Sequence, residues 1–256
     1  MDDQILSLEH ISLSYHTMKG ETPALCDLTF SVTPGEFVAL VGPSGCGKST
    51  IAGILAAKNR GYTGTVTIGG VPLSQVQEAE LMKRVVLVRH NSYLFKGTVE
   101  ENLKMAKPDA TKDEMEAVLR QVNLLGFLQT QNGLQTQLLE KASNLSGGQC
   151  QRLVIARALL KSDTAVYIFD EAASNIDVES EELIMKVIHE LAKTKTVLLI
   201  SHRLANVVQS DRIYFLKDGE IRESGTHEQL MQANGAYKNL FDSQMALERY
   251  GTKEVA

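Results

Sequence analysis

The run Gly42-Pro43-Ser44-Gly45-Cys46-Gly47-Lys48-Ser49-Thr50 has the residue types needed to hold a chain of phosphates. It fits G-x-x-x-x-G-K-[ST]. Its glycines let the backbone approach the phosphate oxygens, Lys48 offers a point charge to the β and γ phosphates, and the Ser49 hydroxyl can ligate Mg²⁺. Far downstream, Leu145-Ser146-Gly147-Gly148-Gln149 offers a second cradle. There Ser146 and Gln149 form a capping box, so the N–H groups of a first helical turn should face outward. One cradle implies a nucleotide-binding protein; two in one chain imply a site assembled from two chains.

Two adjacent carboxylates, Asp170 and Glu171, follow the apolar run Ala165–Phe169. Like charges side by side are a poor structural choice. They make chemical sense if Asp170 faces Mg²⁺ or a water on it and Glu171 polarises an attacking water as a general base. His202 follows a second apolar run, Thr196–Ile200. In a parallel sheet the carboxyl ends of strands face the ligand, which sets His202 beside the γ-phosphate. Cys46 lies inside the phosphate loop, where backbone N–H groups would favour a thiolate; its simpler reading is a small residue that fits a tight loop.

These side chains need a scaffold, and the pattern supplies one. Ile11, Leu13 and Tyr15 alternate with polar neighbours, and Leu28–Val32 ends at a Thr33-Pro34-Gly35 turn, both as strands do. Phe37–Val41 has no polar break, as a strand buried on both faces requires, and runs directly into the phosphate loop. Thr50–Ala56 has helical spacing, so the loop lies between a strand and a helix. Thr65–Ile68 with Gly69-Gly70 reads as part of a hairpin, and Val85–Val88 as a strand. The pattern is helical from Thr98 to about Leu160, with a capping box at Thr111 and Glu114. Later come a helix carrying Leu183, Val187 and Leu191 on one face, a hairpin about Asp218-Gly219, and a helix capped by Thr226 and Gln229.

Composition narrows the partners. At 256 residues the chain can bury a sizeable core, and its net charge of −5 argues against a strong non-specific grip on nucleic acid. No apolar run approaches the ~18 residues needed to cross a bilayer, and Met1-Asp2-Asp3-Gln4 does not open a signal peptide. A cytosolic location follows as an expectation. Cys26, Cys46 and Cys150 show neither metal-ligand spacing nor a disulfide framework.

Nearly throughout, the chain resembles the nucleotide-binding domain of ATP-binding cassette (ABC) transporters. Leu145–Gln149 is similar to that family's signature, Asp170-Glu171 to its Walker B pair, Ser174-Asn175-Ile176-Asp177 to its D-loop and His202 to its switch histidine. Tyr15 resembles the aromatic residue that stacks on adenine. The resemblance implies a head-to-tail dimer, with ATP between the phosphate loop of one copy and Ser146, Gly147, Gly148 and Gln149 of the other, and with Asp177 reaching across. Tyr93–Leu103 and Glu140 look like the exporter branch. One departure stands out. Aligning Leu94-Phe95 sets His90 where the family carries a Q-loop glutamine that offers oxygen to Mg²⁺, and no glutamine occurs between Gln77 and Gln121. An imidazole is a poor replacement. Either metal contact from this loop is weak or water-mediated, or His90 simply faces solvent.

The expected fold is α/β: a P-loop NTPase with a RecA-like parallel core, an N-terminal antiparallel β subdomain and an inserted α-helical subdomain. Residues 1–90 and 161–240 would form the core and β parts, 91–160 the helical part and 241–256 a tail. The expected function is binding and hydrolysis of ATP with Mg²⁺, coupled to transport through a transmembrane domain at the cytoplasmic face of the membrane. That domain would lie in the same or a separate chain, and the second nucleotide-binding domain would be identical or different. A piece excised from a longer transporter is one reading of the ends. A soluble ABC ATPase acting on DNA or the ribosome is the alternative. The chain lacks the long coiled-coil or zinc insertions of the DNA-associated kind and the second cassette usual in the ribosomal kind. A scaffold that binds ATP without turning it over is disfavoured by Glu171 and His202.

Overall fold

A computed structural model describes residues 4–17 and 20–251. Met1–Asp3 and residues 252–256 of the expected tail lie outside the described residues.

Strands β1 (Leu6–Thr17), β2 (Gly20–Val32), β4 (Thr63–Ile68) and β5 (Val71–Pro72) form an antiparallel sheet in the order β2-β1-β4-β5. The central sheet holds β3 (Phe37–Val41), β6 (Val85–Arg89), β9 (Val166–Asp170), β10 (Thr196–Ile200), β11 (Arg212–Lys217) and β12 (Glu220–Gly225), ordered β12-β11-β3-β10-β9-β6. Strands β11, β3, β10, β9 and β6 are parallel, and β12 returns antiparallel through Asp218-Gly219. Both turn residues have positive φ, 53° and 79°, as a type I′ hairpin demands.

Strand β3 is buried throughout because it separates two cores. Val38 and Leu40 join Leu6, Leu8, Phe30 and Ile54 beneath the antiparallel sheet, around α1 (Lys48–Leu55). Phe37, Ala39 and Val41 point the other way, into a core shared with the helical segment. The period-2 alternation of a strand produces this division.

Between β5 and β6 lies α2 (Glu78–Arg84); after β6 come α3 (Val99–Lys104), α4 (Lys112–Gln121), α5 (Leu125–Gln129) and α6 (Gly147–Leu159). The segment is not wholly helical, since β7 (Gly97–Thr98), ahead of α3, pairs with β8 (Gln137–Leu138), which lies between α5 and α6. The capping boxes at Thr111, Ser146 and Thr226 all form, and Thr98 with Glu101 makes a further one. Helix α7 (Val178–Ala192) turns Ile184, Met185 and Ile188 into the core, while Leu183, Val187 and Leu191 are only half-buried beside Leu159. After β12 come α8 (His227–Ala233) and α9 (Ala236–Gly251), so residues 241–251 continue a helix. No helix among the described residues is long and apolar enough to cross a membrane.

Candidate nucleotide site

The phosphate loop joins β3 to α1, and its shape depends on glycine. Gly47 has φ 105°, and a Cβ there would lie 2.6 Å from the Ala24 carbonyl oxygen, so both conformation and space exclude other residues. Lys48 is buried. Its ammonium donates to the carbonyls of Gly42 and Pro43, both at 2.8 Å, and to Cys46 Sγ at 3.5 Å. The loop thus holds a positive charge over its own backbone. Cys46 is buried beneath it as a compact acceptor, whereas Ser44 and Gly45 are exposed. Ser49 is exposed at the start of α1 and donates its hydroxyl to Asp170 Oδ1 at 2.8 Å.

Asp170 ends β9, next to β10 and close to β3 in the sheet. Its second carboxylate oxygen lies 3.4 Å from Arg89 Nε, at the end of β6. Glu171 breaks the strand with φ 51°, an uncommon backbone state that a donated bond from its N–H to the Ile200 carbonyl, 3.0 Å, helps to hold. The two carboxylates therefore serve different neighbours. Glu171 Oε1 lies 3.9 Å from Nδ1 of His202, whose side chain is exposed. The loop carrying His202 is bracketed by one amide from α9: Gln244 Nε2 donates to the His202 carbonyl at 2.6 Å, and Gln244 Oε1 accepts from Leu204 N–H at 2.9 Å.

The second cradle is built as its capping box requires. Ser146 Oγ accepts from Gln149 N–H at 3.2 Å, and Gln149 Oε1 accepts from Ser146 N–H at 2.9 Å. Gln149 Oε1 serves the cap, and the N–H groups of Gly147 and Gly148 make no hydrogen bond among the described residues. Ser146 and Gly147 are exposed, but Gly148 is buried. A Cβ on Gly148 would come within 2.5 Å of Ser180 Cβ, and closer still to its hydroxyl. Its need for glycine thus has a cause inside the chain. Asp177 also works locally, capping α7 by accepting from Ser180 N–H at 2.8 Å. That bond holds the Asp177 carboxyl below its ordinary range. No described hydrogen bond or ion pair joins Ser146–Gln149 to the phosphate loop.

Tyr15 is half exposed, and its hydroxyl stands 3.3 Å from Thr50 Oγ1 and 3.3 Å from Asn59 Nδ2. Asn59 also donates to the Thr50 carbonyl at 3.1 Å, in space left by Gly53. His90 is exposed in the turn after β6, and its side chain makes no hydrogen bond or ion pair among the described residues. Its neighbour Arg89 reaches the carboxylate instead, and Gln151 of α6 donates to the Arg89 carbonyl at 3.2 Å. Arg89, Gln151, Gln244 and Asn59 escaped the sequence reading. Arg89 alone carried a local signal, a charge closing the apolar run Val85–Val88 at the ligand-facing end of a strand.

Ser49 and Asp170 supply hard oxygen donors, and among the described residues no group of three or more His, Cys, Asp or Glu could hold a metal. Such a sparse oxygen set suits Mg²⁺, which keeps several waters and takes the rest of its shell from phosphate.

The sequence model of the ABC transporter family matches residues 25–174. An uncharacterized ABC transporter ATP-binding protein of Haemophilus influenzae is 47% identical over 236 residues, which are 92% of this chain and 42% of that protein. An ATP-dependent lipid A-core flippase of Pasteurella multocida is 38% identical over 242 residues, 94% of this chain and 41% of the flippase. Among solved structures, that of a bacterial Atm1-family ABC exporter with ATP bound superposes with a TM-score of 0.87 at 30% identity, covering 95% of this chain and 42% of that one. The chain spans less than half the length of these relatives.

Proposed function

This chain belongs to the ABC transporter family and is an ATP-binding domain of the exporter kind, and from that premise we propose that it hydrolyses ATP between two cassettes and so drives transport through a transmembrane partner. One observation carries the reading. Lys48, Ser49, Asp170, Glu171 and His202 converge at the carboxyl ends of three adjacent parallel strands, while the Gly147 N–H and the Ser146 hydroxyl are presented elsewhere on the surface. A second copy in head-to-tail orientation brings those donors to the γ-phosphate.

Each residue then has a role. Lys48 and the amides of Gly42–Thr50 bind the β and γ phosphates, and Tyr15 stacks on adenine. Ser49 and Asp170 hold Mg²⁺, which supplies positive charge against the phosphate oxygens. Glu171 accepts the proton of the attacking water, and His202 steadies the γ-phosphate from the next strand. Ser146 and Gly147 close the site from the partner, with Gly148 fixing the angle of their helix. Asp177, which caps α7, reaches across the interface from its place beside Gly148. Gln149 supports Ser146 through its Oε1 and leaves its Nε2 facing the partner's nucleotide.

A groove of about 310 Å³ on the helical side suits the membrane partner. Its lining includes Val86, Phe95, Met105, Val154, Arg157 and Lys161. Phe95 and Met105 are exposed, and Tyr93 packs edge-on against Phe95 with centroids 4.8 Å apart. Burial pushes the Arg157 and Lys161 side chains below their ordinary pKa, and their bonds run to carbonyls of Tyr93 and Met82. Apolar surface beside cations without an acid invites a helix end carrying carboxyl or carbonyl groups. That reading sets the domain at the cytoplasmic face of the membrane, with core and β parts at residues 1–90 and 161–240 and the helical part at 91–160.

The test is Glu171→Gln with saturating ATP. Light scattering should show a dimer that ADP does not support, and adding Ser146→Arg should return it to monomer. A Glu171→Gln protein that binds ATP and stays monomeric removes the composite site.

A further inference from the structure

Arg89 stands opposite Asp170 in the parallel register of β6 and β9. Its Nε lies 3.4 Å from Asp170 Oδ2, while Oδ1 accepts from Ser49. Both oxygens of the one carboxylate suited to Mg²⁺ are therefore engaged. The two contacts differ in kind. Ser49 makes a true hydrogen bond, whereas Arg89 Nε is buried without any hydrogen bond, so its hold on Asp170 is Coulombic. The backbone of Arg89 is fixed on both sides: its N–H donates to Ser92 Oγ at 3.0 Å, and its carbonyl accepts from Gln151. Only the guanidinium end is free to move.

We propose that Arg89 is a counter-ion built into the metal site, which competes with Mg²⁺ for Asp170 and sets the metal affinity of the nucleotide site. The inference rests on the Mg²⁺–ATP reading above. A guanidinium this close neutralises the carboxylate, weakening it as a ligand, and repels a divalent cation seated against Ser49. The same charge stands in for metal when ATP arrives without it, since a bare Asp170 would repel the triphosphate. His90, one residue on, faces solvent and offers no replacement oxygen. The metal preference of this site therefore depends on moving Arg89 aside rather than on a ligand from the following loop.

The measurement is binding, not turnover: fluorescence titration of the protein with MANT-ATP, in EDTA and across a series of Mg²⁺ concentrations. Arg89→Ser should lower the half-saturating Mg²⁺ concentration about tenfold and weaken metal-free nucleotide binding by a similar factor, the scale of one lost partly buried charge. Arg89→Gln, closer in shape, should do the same if the serine variant folds poorly. Arg89→Lys should stay within about threefold of the parent, since charge is what matters. If the neutral variants leave both quantities within about twofold, or if lysine behaves as serine does, the counter-ion role is wrong. If the parent protein binds no MANT-ATP, with or without metal, the nucleotide reading fails and takes this inference with it.

Discussion

Gly148 tests whether a residue of the second cradle is kept for nucleotide or for packing. A methyl added there must share space with Ser180, whose Cβ would be 2.5 Å away at the buried start of α7. Ser180 cannot easily yield, because its N–H is tied to Asp177 at 2.8 Å. Overpacking of this kind costs about 1–3 kcal/mol, so Gly148→Ala alone should lose about 2 kcal/mol of stability. Ser180→Gly removes both offending atoms and should cost about 1 kcal/mol through helix propensity. With the clash gone, the double variant should be about as stable as Ser180→Gly, giving a coupling near ~2 kcal/mol where additivity predicts none. Urea unfolding of the four proteins reads the cycle directly, and ATPase assays run beside it. Stability effects that add to within about 0.5 kcal/mol refute the packing argument. So does a Gly148→Ala protein of unchanged stability that fails to turn over ATP, since the glycine would then serve nucleotide alone.

Two other outcomes follow from the same geometry. Gln244→Ala removes both hydrogen bonds that bracket the His202 loop, so steady-state kinetics should show kcat reduced about tenfold or more, with KM for ATP nearly unchanged. Equal loss in both constants would count against a positioning role. For Asp177, the carboxyl is held low in the fold by the Ser180 N–H, so its contribution is present above the unfolded value near ~4 and disappears as pH falls through the lower folded one. Thermal melts of the parent and Asp177→Asn should therefore differ at neutral pH and converge in acid, and a gap independent of pH would refute the cap.

How much could be read without coordinates depended on distance along the chain. The phosphate loop and the capping boxes at Thr111, Ser146 and Thr226 are written within a few residues each, and all three boxes form. The Thr98 box is equally local, but it sits inside a segment whose helical pattern already begins at Thr98 and so masks the start signal. The strand pattern foretold that Asp170 and His202 would share one edge, because parallel strands leave their carboxyl ends together. What closes the site is non-local. The pairing of β7 with β8, the Gln244 bracket on His202 and the approach of Gly148 to Ser180 depend on how separate elements pack, which no spacing encodes.

The clearest case is the pair His90 and Arg89. Matching a family pattern directs the eye to the residue that departs from it, His90, and frames its chemistry as a missing oxygen ligand. Strand register decides otherwise. A side chain ending β6 on the row of Asp170 meets the carboxylate, whereas the next residue has already entered the turn and is exposed. Position relative to the last paired residue thus decides which of two neighbours faces Asp170, and a one-residue difference exchanges a solvent-exposed imidazole for a guanidinium. If the register is right, His90→Gln should leave the Mg²⁺ dependence of MANT-ATP binding near that of the parent, and Arg89→Gln should shift it. The reverse order of effects would mean that the loop after β6, rather than the strand end, governs the metal.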